Sequence, residues 1–142
     1  MNKKTYTIKR LVVGLLVMTF VSIALAFLPP LFAFSIDAEQ FFLDQPLPTI
    51  EQSLKIAIAA FTGAYVARVP FVLATIVYYA SWALYSFYVL MLIAEPVQPV
   101  TMVEIIARNA FGTAFGLVAA VVGADLGSRL GKRKSYGLAE AA

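Results

Sequence analysis

Three acid–base pairs are the residues of this chain with the clearest capacity for chemistry. In each pair a basic residue follows an acidic one by four positions: Glu51 and Lys55, Glu104 and Arg108, and Asp125 and Arg129. Residues four apart share one face of a helix, so a pair can form an ion pair, bind an anionic headgroup or relay a proton. The pairs lie near the ends of apolar segments, and Arg68 is expected at the depth of Asp125. No acid lies in the middle of a segment, so the spacing favours structural ion pairs.

A second candidate site is an aromatic face on the third apolar segment. Tyr78, Trp82 and Tyr85 are spaced by four and three residues, which places them on one side of a helix. Aromatic residues usually collect at the membrane interfaces, whereas Trp82 falls near the centre of its segment. The face could line a pocket for a lipid tail or an amphipathic solute. Alternatively, the rings fill grooves left by glycine and alanine on neighbouring helices, and we prefer this second interpretation.

The residue types absent from the sequence exclude several kinds of chemistry. The chain has no cysteine and no histidine, which excludes disulfides, thiol redox centres, zinc sites built from these residues, histidine-ligated haem and a Ser-His-Asp triad. We therefore expect no catalytic residues, no cofactor and no metal. The formal net charge of +3 does not indicate nucleic-acid binding, because the basic residues flank the apolar segments. The expected partners are membrane lipids, other membrane subunits or a second copy of the chain.

The elements that position these residues are predicted to be four membrane-spanning helices. Of the 142 residues, 61% are hydrophobic and only 13% are charged, which is unlike a soluble domain. A spanning helix needs about 20 apolar residues. The predicted spans are about 11–28, 50–69, 71–94 and 102–130, with an outer loop over 29–49. We expect a single all-α membrane domain covering residues 1–142.

The basic residues predict how the spans are oriented. Nine of the eleven lysines and arginines precede the first span, follow the second or lie at the end of the fourth. The opposite connections carry most of the acids, among them Asp37, Glu39 and Asp44. Because basic residues are retained on the cytoplasmic side during insertion, both termini are expected in the cytoplasm. The sequence thus predicts two in–out–in hairpins in a bacterial inner membrane.

The first span and the loop after it each have a second interpretation. A basic start, an apolar centre and Ala24-Leu25-Ala26 also suit a cleaved signal peptide. The apolar run continues through Phe34, longer than a signal peptide requires, so we prefer an uncleaved span. The loop combines acids with Phe41 and Phe42, which suits either a segment in the headgroup region or a contact surface for a partner.

The two halves of the chain resemble each other. A proline, a threonine, an acid and a base occur in the same order at the start of the second and fourth spans, with Thr49 and Thr101 as the expected helix caps. Further along, residues 59–64 match residues 119–124. This pattern predicts a duplicated hairpin in one orientation, as in transporters with parallel repeats. Chance similarity among helices rich in alanine and glycine is the alternative.

Small residues recur every four positions on the second and fourth spans. Such residues let helix backbones approach closely, which replaces the hydrophobic drive that lipid removes. The predicted helix-packing positions are Gly63, Ala67, Gly112, Gly116, Ala120, Gly123 and Gly127. These positions could pack within the chain or against a second subunit, and internal packing is the preferred interpretation.

The sequence lacks the hallmarks of several four-span classes. Small multidrug carriers have a glutamate in the first span, where this chain has no charge, and disulfide-generating enzymes need cysteines. The Arg108-Asn109 dipeptide alone does not reproduce the dense polar motif of glutathione-using enzymes. The stretch of residues 63–69 resembles a helix end in small bacterial four-span proteins, a resemblance that implies no activity.

The predicted function is therefore non-catalytic. We expect an interaction or accessory subunit, or an immunity-type protein, that acts through its glycine and alanine faces. The alternative is an oligomeric permease or flippase for a lipid-like or amphipathic solute. A polar path across the bundle would favour transport, whereas a dry and fully packed bundle would favour the interaction role. An enzyme comes third, because the spans hold few titratable groups.

Overall fold

Apolar runs rich in alanine, leucine and valine fold as four α-helices. The structure, a computed structural model, describes residues 3–28, 46–94 and 101–140, with side chains described for 4–28, 50–93 and 101–133. The helices are α1 (Lys3–Ala26), α2 (Pro46–Ala67), α3 (Val72–Ala94) and α4 (Met102–Glu140). The all-α prediction is confirmed for these residues. The predicted acids of the outer loop lie outside the described residues.

Three of the described helices are long and apolar enough to cross a membrane, namely Lys4–Ala26, Val72–Ile93 and Met102–Arg133. The chain therefore has the character of a membrane protein. The prediction of four such spans holds for three helices. The exception, α2, has a polar first half because Glu51, Gln52, Ser53 and Lys55 lie there.

The helix ends differ from the predicted ones for local reasons. Helix α1 closes with a tighter turn, in which the amides of Phe27 and Leu28 donate to carbonyls three residues back, just before two prolines. Helix α2 begins at Pro46, three residues before Thr49, the predicted cap, whose side chain lies outside the described part of the structure. Helix α4 begins as predicted and continues ten residues past the predicted end. The prediction followed the apolar run, whereas the helix continues into the basic and polar residues after it.

The start of α4 has the predicted capping box. The Thr101 hydroxyl oxygen accepts the Glu104 amide at 3.3 Å, and the Glu104 carboxylate accepts the Thr101 amide at 2.8 Å. Each residue thereby satisfies an amide that the first turn leaves without a helical partner.

Helix α2 lies between α1 and α4 and packs most extensively against α4. Helix α3 packs against α4, touches α1 only lightly and hardly touches α2. The contact positions advance together along α2 and α4, so these two helices run parallel, while α3 runs antiparallel to α4. The core is built mostly from small side chains, with Met18 and Phe71 as its large fully buried hydrophobic members.

The turn between α2 and α3 is fastened to α4. Arg68 adopts a left-handed conformation, with φ at 55°, and its amide donates to the Ala64 carbonyl at 3.1 Å. This geometry ends helix α2 although the residue is not a glycine. The buried Ser128 hydroxyl of α4 donates to the Val69 carbonyl at 3.2 Å. The turn and the second half of α4 therefore lie at the same depth.

Candidate functional site

Three glycines of α4 form the closest helix contact in the described structure. They are spaced by four residues and face three α2 carbonyls with the same spacing: Gly123 with Ala57, Gly127 with Phe61 and Gly131 with Tyr65. A methyl group built on Gly131 would come within 2.6 Å of the Tyr65 carbonyl oxygen. No larger residue fits at these three positions unless the helices separate. Small residues hold helices together in lipid because they allow such a close approach of the backbones.

A second close contact joins α1 to α2. A methyl group on Gly63 would come within 2.6 Å of the Gly14 carbonyl and 2.8 Å of the Met18 Cβ. On the other side of the contact, Gly14 faces Ala67 and the Phe71 ring. Helix α1 is therefore an integral part of the core, because removing it would take Met18 out of the core and expose Ala67 and Phe71.

The predicted helix-packing residues are thus distributed among several contacts. Gly63 and Ala67 face α1, Gly123 and Gly127 face α2, and Ala120 is fully buried in the core. Gly116 faces the Tyr79 hydroxyl of α3, and Gly112 lines a groove described below. Most of these small faces are occupied by helices of the same chain and are not available to a second subunit.

The three acid–base pairs differ in environment. Glu51 and Lys55 form an ion pair at 2.6 Å in which both side chains are only 13% exposed. Asp125 and Arg129 form one at 2.8 Å with side chains 42% and 72% exposed, which makes it a solvated surface pair. Glu104 is hydrogen-bonded to Thr101 at the start of α4. Only the Glu51–Lys55 pair is largely enclosed, and its charges compensate each other.

A groove lies between α2, α3 and α4, in the half of the bundle where α2 and α4 begin. Its volume is about 290 Å³. Helix α4 forms the floor, and α2 and α3, which hardly touch each other, form the two walls. The polar side chains that line it are Gln52, Ser53, Tyr79, Trp82, Ser86, Asn109 and Thr113. A groove with this lining can hydrogen-bond a ligand and offer it an aromatic surface.

The groove does not continue through the bundle. At its inner end the Tyr79 hydroxyl donates to the Thr113 carbonyl at 3.1 Å and lies against Gly116. Beyond this contact the glycines of α4 meet α2 directly. The bundle therefore has a polar, open half and a closely packed half, separated by Tyr79.

The predicted aromatic face is divided between different surroundings. Tyr78 lies beside α1, where the Thr19 hydroxyl lies 3.1 Å from its own and donates to it. Trp82 lines the groove and is 58% exposed, with the Tyr85 ring 6.0 Å away and also exposed. The ring that fills the space beside a glycine is Tyr79, which the sequence analysis did not select.

Sequence reasoning also missed the carboxamides of the groove. Gln52 and Asn109 are the only asparagine or glutamine residues within the four predicted spans, which is a signal that could have identified them. Tyr79, Ala83 and Ser86 share a helix face with Trp82 by their spacing, and this face lines the groove.

The described residues of the groove offer hydrogen-bonding groups and an aromatic surface, and none of them is charged at neutral pH. No cluster of three or more metal-ligating residues occurs in the part of the chain that the structure describes. Comparisons of the sequence and the structure with family models, curated proteins and solved structures found no match. The function therefore has to be argued from the groove and the helix contacts themselves.

Proposed function

We propose that this protein is a non-catalytic integral membrane protein that binds an amphipathic, lipid-like molecule in the groove between α2, α3 and α4. The observation that carries the proposal is the lining of the groove. Hydrogen-bonding side chains and the exposed Trp82 ring face a cavity of about 290 Å³ along helices that are long and apolar enough to cross a membrane. A molecule that enters from the bilayer would place its polar part there.

The closed inner end of the groove supports binding over transport. A solute that enters the groove meets the Tyr79–Thr113 hydrogen bond and then the glycine contacts of α2 and α4. Crossing the bundle would require the Tyr79 side chain to swing aside and the glycine contacts, which are made mainly with the α2 backbone, to separate. The packed half therefore acts as a frame that holds the groove.

The proposal includes four spans with both termini in the cytoplasm. Helix α2 lies between α1 and α4, both of which are long and apolar enough to span, so a bilayer that contains those two also surrounds α2. Its polar residues Glu51 and Lys55 neutralise each other, and Gln52 and Ser53 face the groove. The distribution of basic residues supports the orientation in a bacterial inner membrane. In this orientation the groove opens toward the outer half of the bilayer.

Lipid retention tests the proposal. The protein is extracted into a mild detergent, and bound lipids are counted by native mass spectrometry. We expect one retained lipid in the wild type and its loss in Gly112→Leu, since Gly112 lines the groove. Ala114→Leu is the matched control because it adds the same side chain two residues away, at an exposed position outside the lining. Equal retention in all three proteins, or none in the wild type, would refute the proposal.

A second candidate function is that of an accessory subunit in a larger membrane complex. The observation that favours it is the exposure of α3, which makes no extensive contact except with α4. Because the glycine faces are used inside the chain, a partner would bind through large exposed side chains, and α3 offers Leu73 and Ile93. A defined partner that co-purifies with the wild type and is lost in Leu73→Ala/Ile93→Ala would support this function.

A further inference from the structure

The chemistry of the groove also specifies what kind of polar group it accepts, an inference that rests on the proposed function. Among the residues that the structure describes, those that line it carry two carboxamides, four hydroxyls and an indole, and none carries a charge at neutral pH. Lys55, an enclosed cation of α2, is paired with Glu51 at 2.6 Å, and neither residue belongs to the described lining of the groove. A charged headgroup would therefore enter without a counter-ion, and an enclosed charge without a partner is costly.

The hydrogen-bonding groups fit a ligand that both donates and accepts. A carboxamide has two N–H donors and one acceptor oxygen. One N–H of Asn109 donates to the Ile105 carbonyl at 2.8 Å, which leaves its oxygen and its second N–H for a ligand. Gln52 adds a carboxamide from α2, and Ser86 adds a hydroxyl from α3. Alcohol groups donate and accept at the same atom, so a ligand with several hydroxyls can bond to three helices at once.

The indole ring adds a requirement for an apolar flat surface. Trp82 is 58% exposed although it lines the groove, so part of its ring is open to a ligand. Carbohydrate rings combine C–H groups, which lie against an aromatic face, with hydroxyls around their edge. The adjoining outer surface of α3 carries exposed Leu84 and Tyr85, along which an acyl chain can lie. We infer that the groove binds the uncharged sugar headgroup of a glycolipid, with the sugar between Trp82 and Asn109.

The single tryptophan of the chain makes this inference directly measurable. The protein is placed in phosphatidylcholine nanodiscs that contain a few mole per cent of a lipid with brominated acyl chains, which quench tryptophan on contact. The probes are glucosyl diacylglycerol, phosphatidylglycerol and unglycosylated diacylglycerol. We expect the glucosyl lipid to quench Trp82 several-fold more than the other two probes at equal mole fraction.

Two variants define the specificity of this signal. Asn109→Leu should weaken the enrichment of the glucosyl lipid by roughly three- to tenfold, as expected for the loss of one or two hydrogen bonds. In the reporter control, Trp82→Phe/Phe111→Trp, the only tryptophan lies at an exposed position of α4 outside the groove lining, on the opposite side of the helix from Asn109 and Thr113. All three probes should quench that reporter equally.

The outcomes separate this inference from the proposed function. If phosphatidylglycerol quenches Trp82 as strongly as the glucosyl lipid, and Gly112→Leu abolishes both effects, the groove binds lipid and the sugar inference is wrong. If no probe quenches Trp82 more than the reporter control, both the inference and the proposed function fail. If water-soluble methyl glucoside displaces the glucosyl lipid as effectively as the unbrominated glucosyl lipid does, the groove binds free sugars and the glycolipid assignment is wrong.

Discussion

The contact between α2 and α4 gives the most direct test of the fold. In Gly127→Ala, the new methyl group would point at the Phe61 carbonyl and lie 3.0 Å from the Ala64 Cβ. Neither neighbour is the end of a flexible side chain, so the two helices have to move apart. Overpacking of this kind costs about 1–3 kcal/mol, and the rigid surroundings place the cost in the upper half of that range. The higher helix propensity of alanine offsets at most ~1 kcal/mol.

The expected net loss is about 1–2 kcal/mol in the free energy of unfolding. Gly112→Ala is the control, because that glycine belongs to the same helix but lines the groove. It gains only the propensity term and should unfold at the wild-type free energy or up to ~1 kcal/mol higher. The assay is reversible unfolding in mixed micelles with rising sodium dodecyl sulfate, followed by circular dichroism. If the two variants differ by less than about 0.5 kcal/mol, the backbone contact does not hold α2 and α4 together.

Three further changes test individual contacts, and a fourth experiment tests the topology. Tyr79→Phe removes the hydrogen bond to the Thr113 carbonyl and should cost about 0.5–1.5 kcal/mol in the same unfolding assay. Ser128→Ala should cost ~1 kcal/mol because it releases the Val69 carbonyl, whereas Ser81→Ala, an exposed serine bonded within its own helix, should cost nothing measurable. Glu51→Leu should destabilise the protein by about 1–3 kcal/mol because it leaves Lys55 enclosed and unpaired, and Glu51→Leu/Lys55→Leu should recover most of the loss; a double variant as unstable as the single one would contradict this reasoning. Reporter fusions at residues 40 and 98 should both report an external location, and a cytoplasmic signal from either would contradict the proposed orientation.

Hydropathy alone predicts that these helices exist, because an apolar run of about 20 residues has few other structures available to it. It predicts their ends less well. The basic tail of α4 remains helical after its apolar part ends, and α2 begins before Thr49. Both ends depend on backbone hydrogen bonding in polar sequence, for which hydropathy carries little information.

The small-residue spacing predicts close approach of helices but does not identify the helix that is approached. Gly63 and Gly123 are equivalent positions in the predicted duplication, yet Gly63 contacts α1 and Gly123 contacts α2. The difference arises from how each helix is rotated about its axis, which depends on all of its neighbours together. The duplication stays a prediction from sequence.

The groove was harder to predict because its parts come from three helices. Tyr78, Trp82 and Tyr85 were chosen because they are aromatic, whereas most of the residues that line the groove are marked by polar side chains. The unusual residues of the spans are Gln52 and Asn109, and their presence in one groove depends on how α2 and α4 pack against each other. That relation becomes visible only when the glycine contacts are known.

The open and packed halves of the bundle depend on each other. Helix α4 supplies the floor of the groove near its start and the glycine contacts further along. Those contacts hold α4 against α2, while α3 is kept at a distance by the Tyr79 ring against Gly116. Helices α2 and α3 are thus each held against α4 and hardly touch each other, which leaves the groove between them. The glycines take part in no chemistry themselves, but they set the helix positions on which the width of the groove depends.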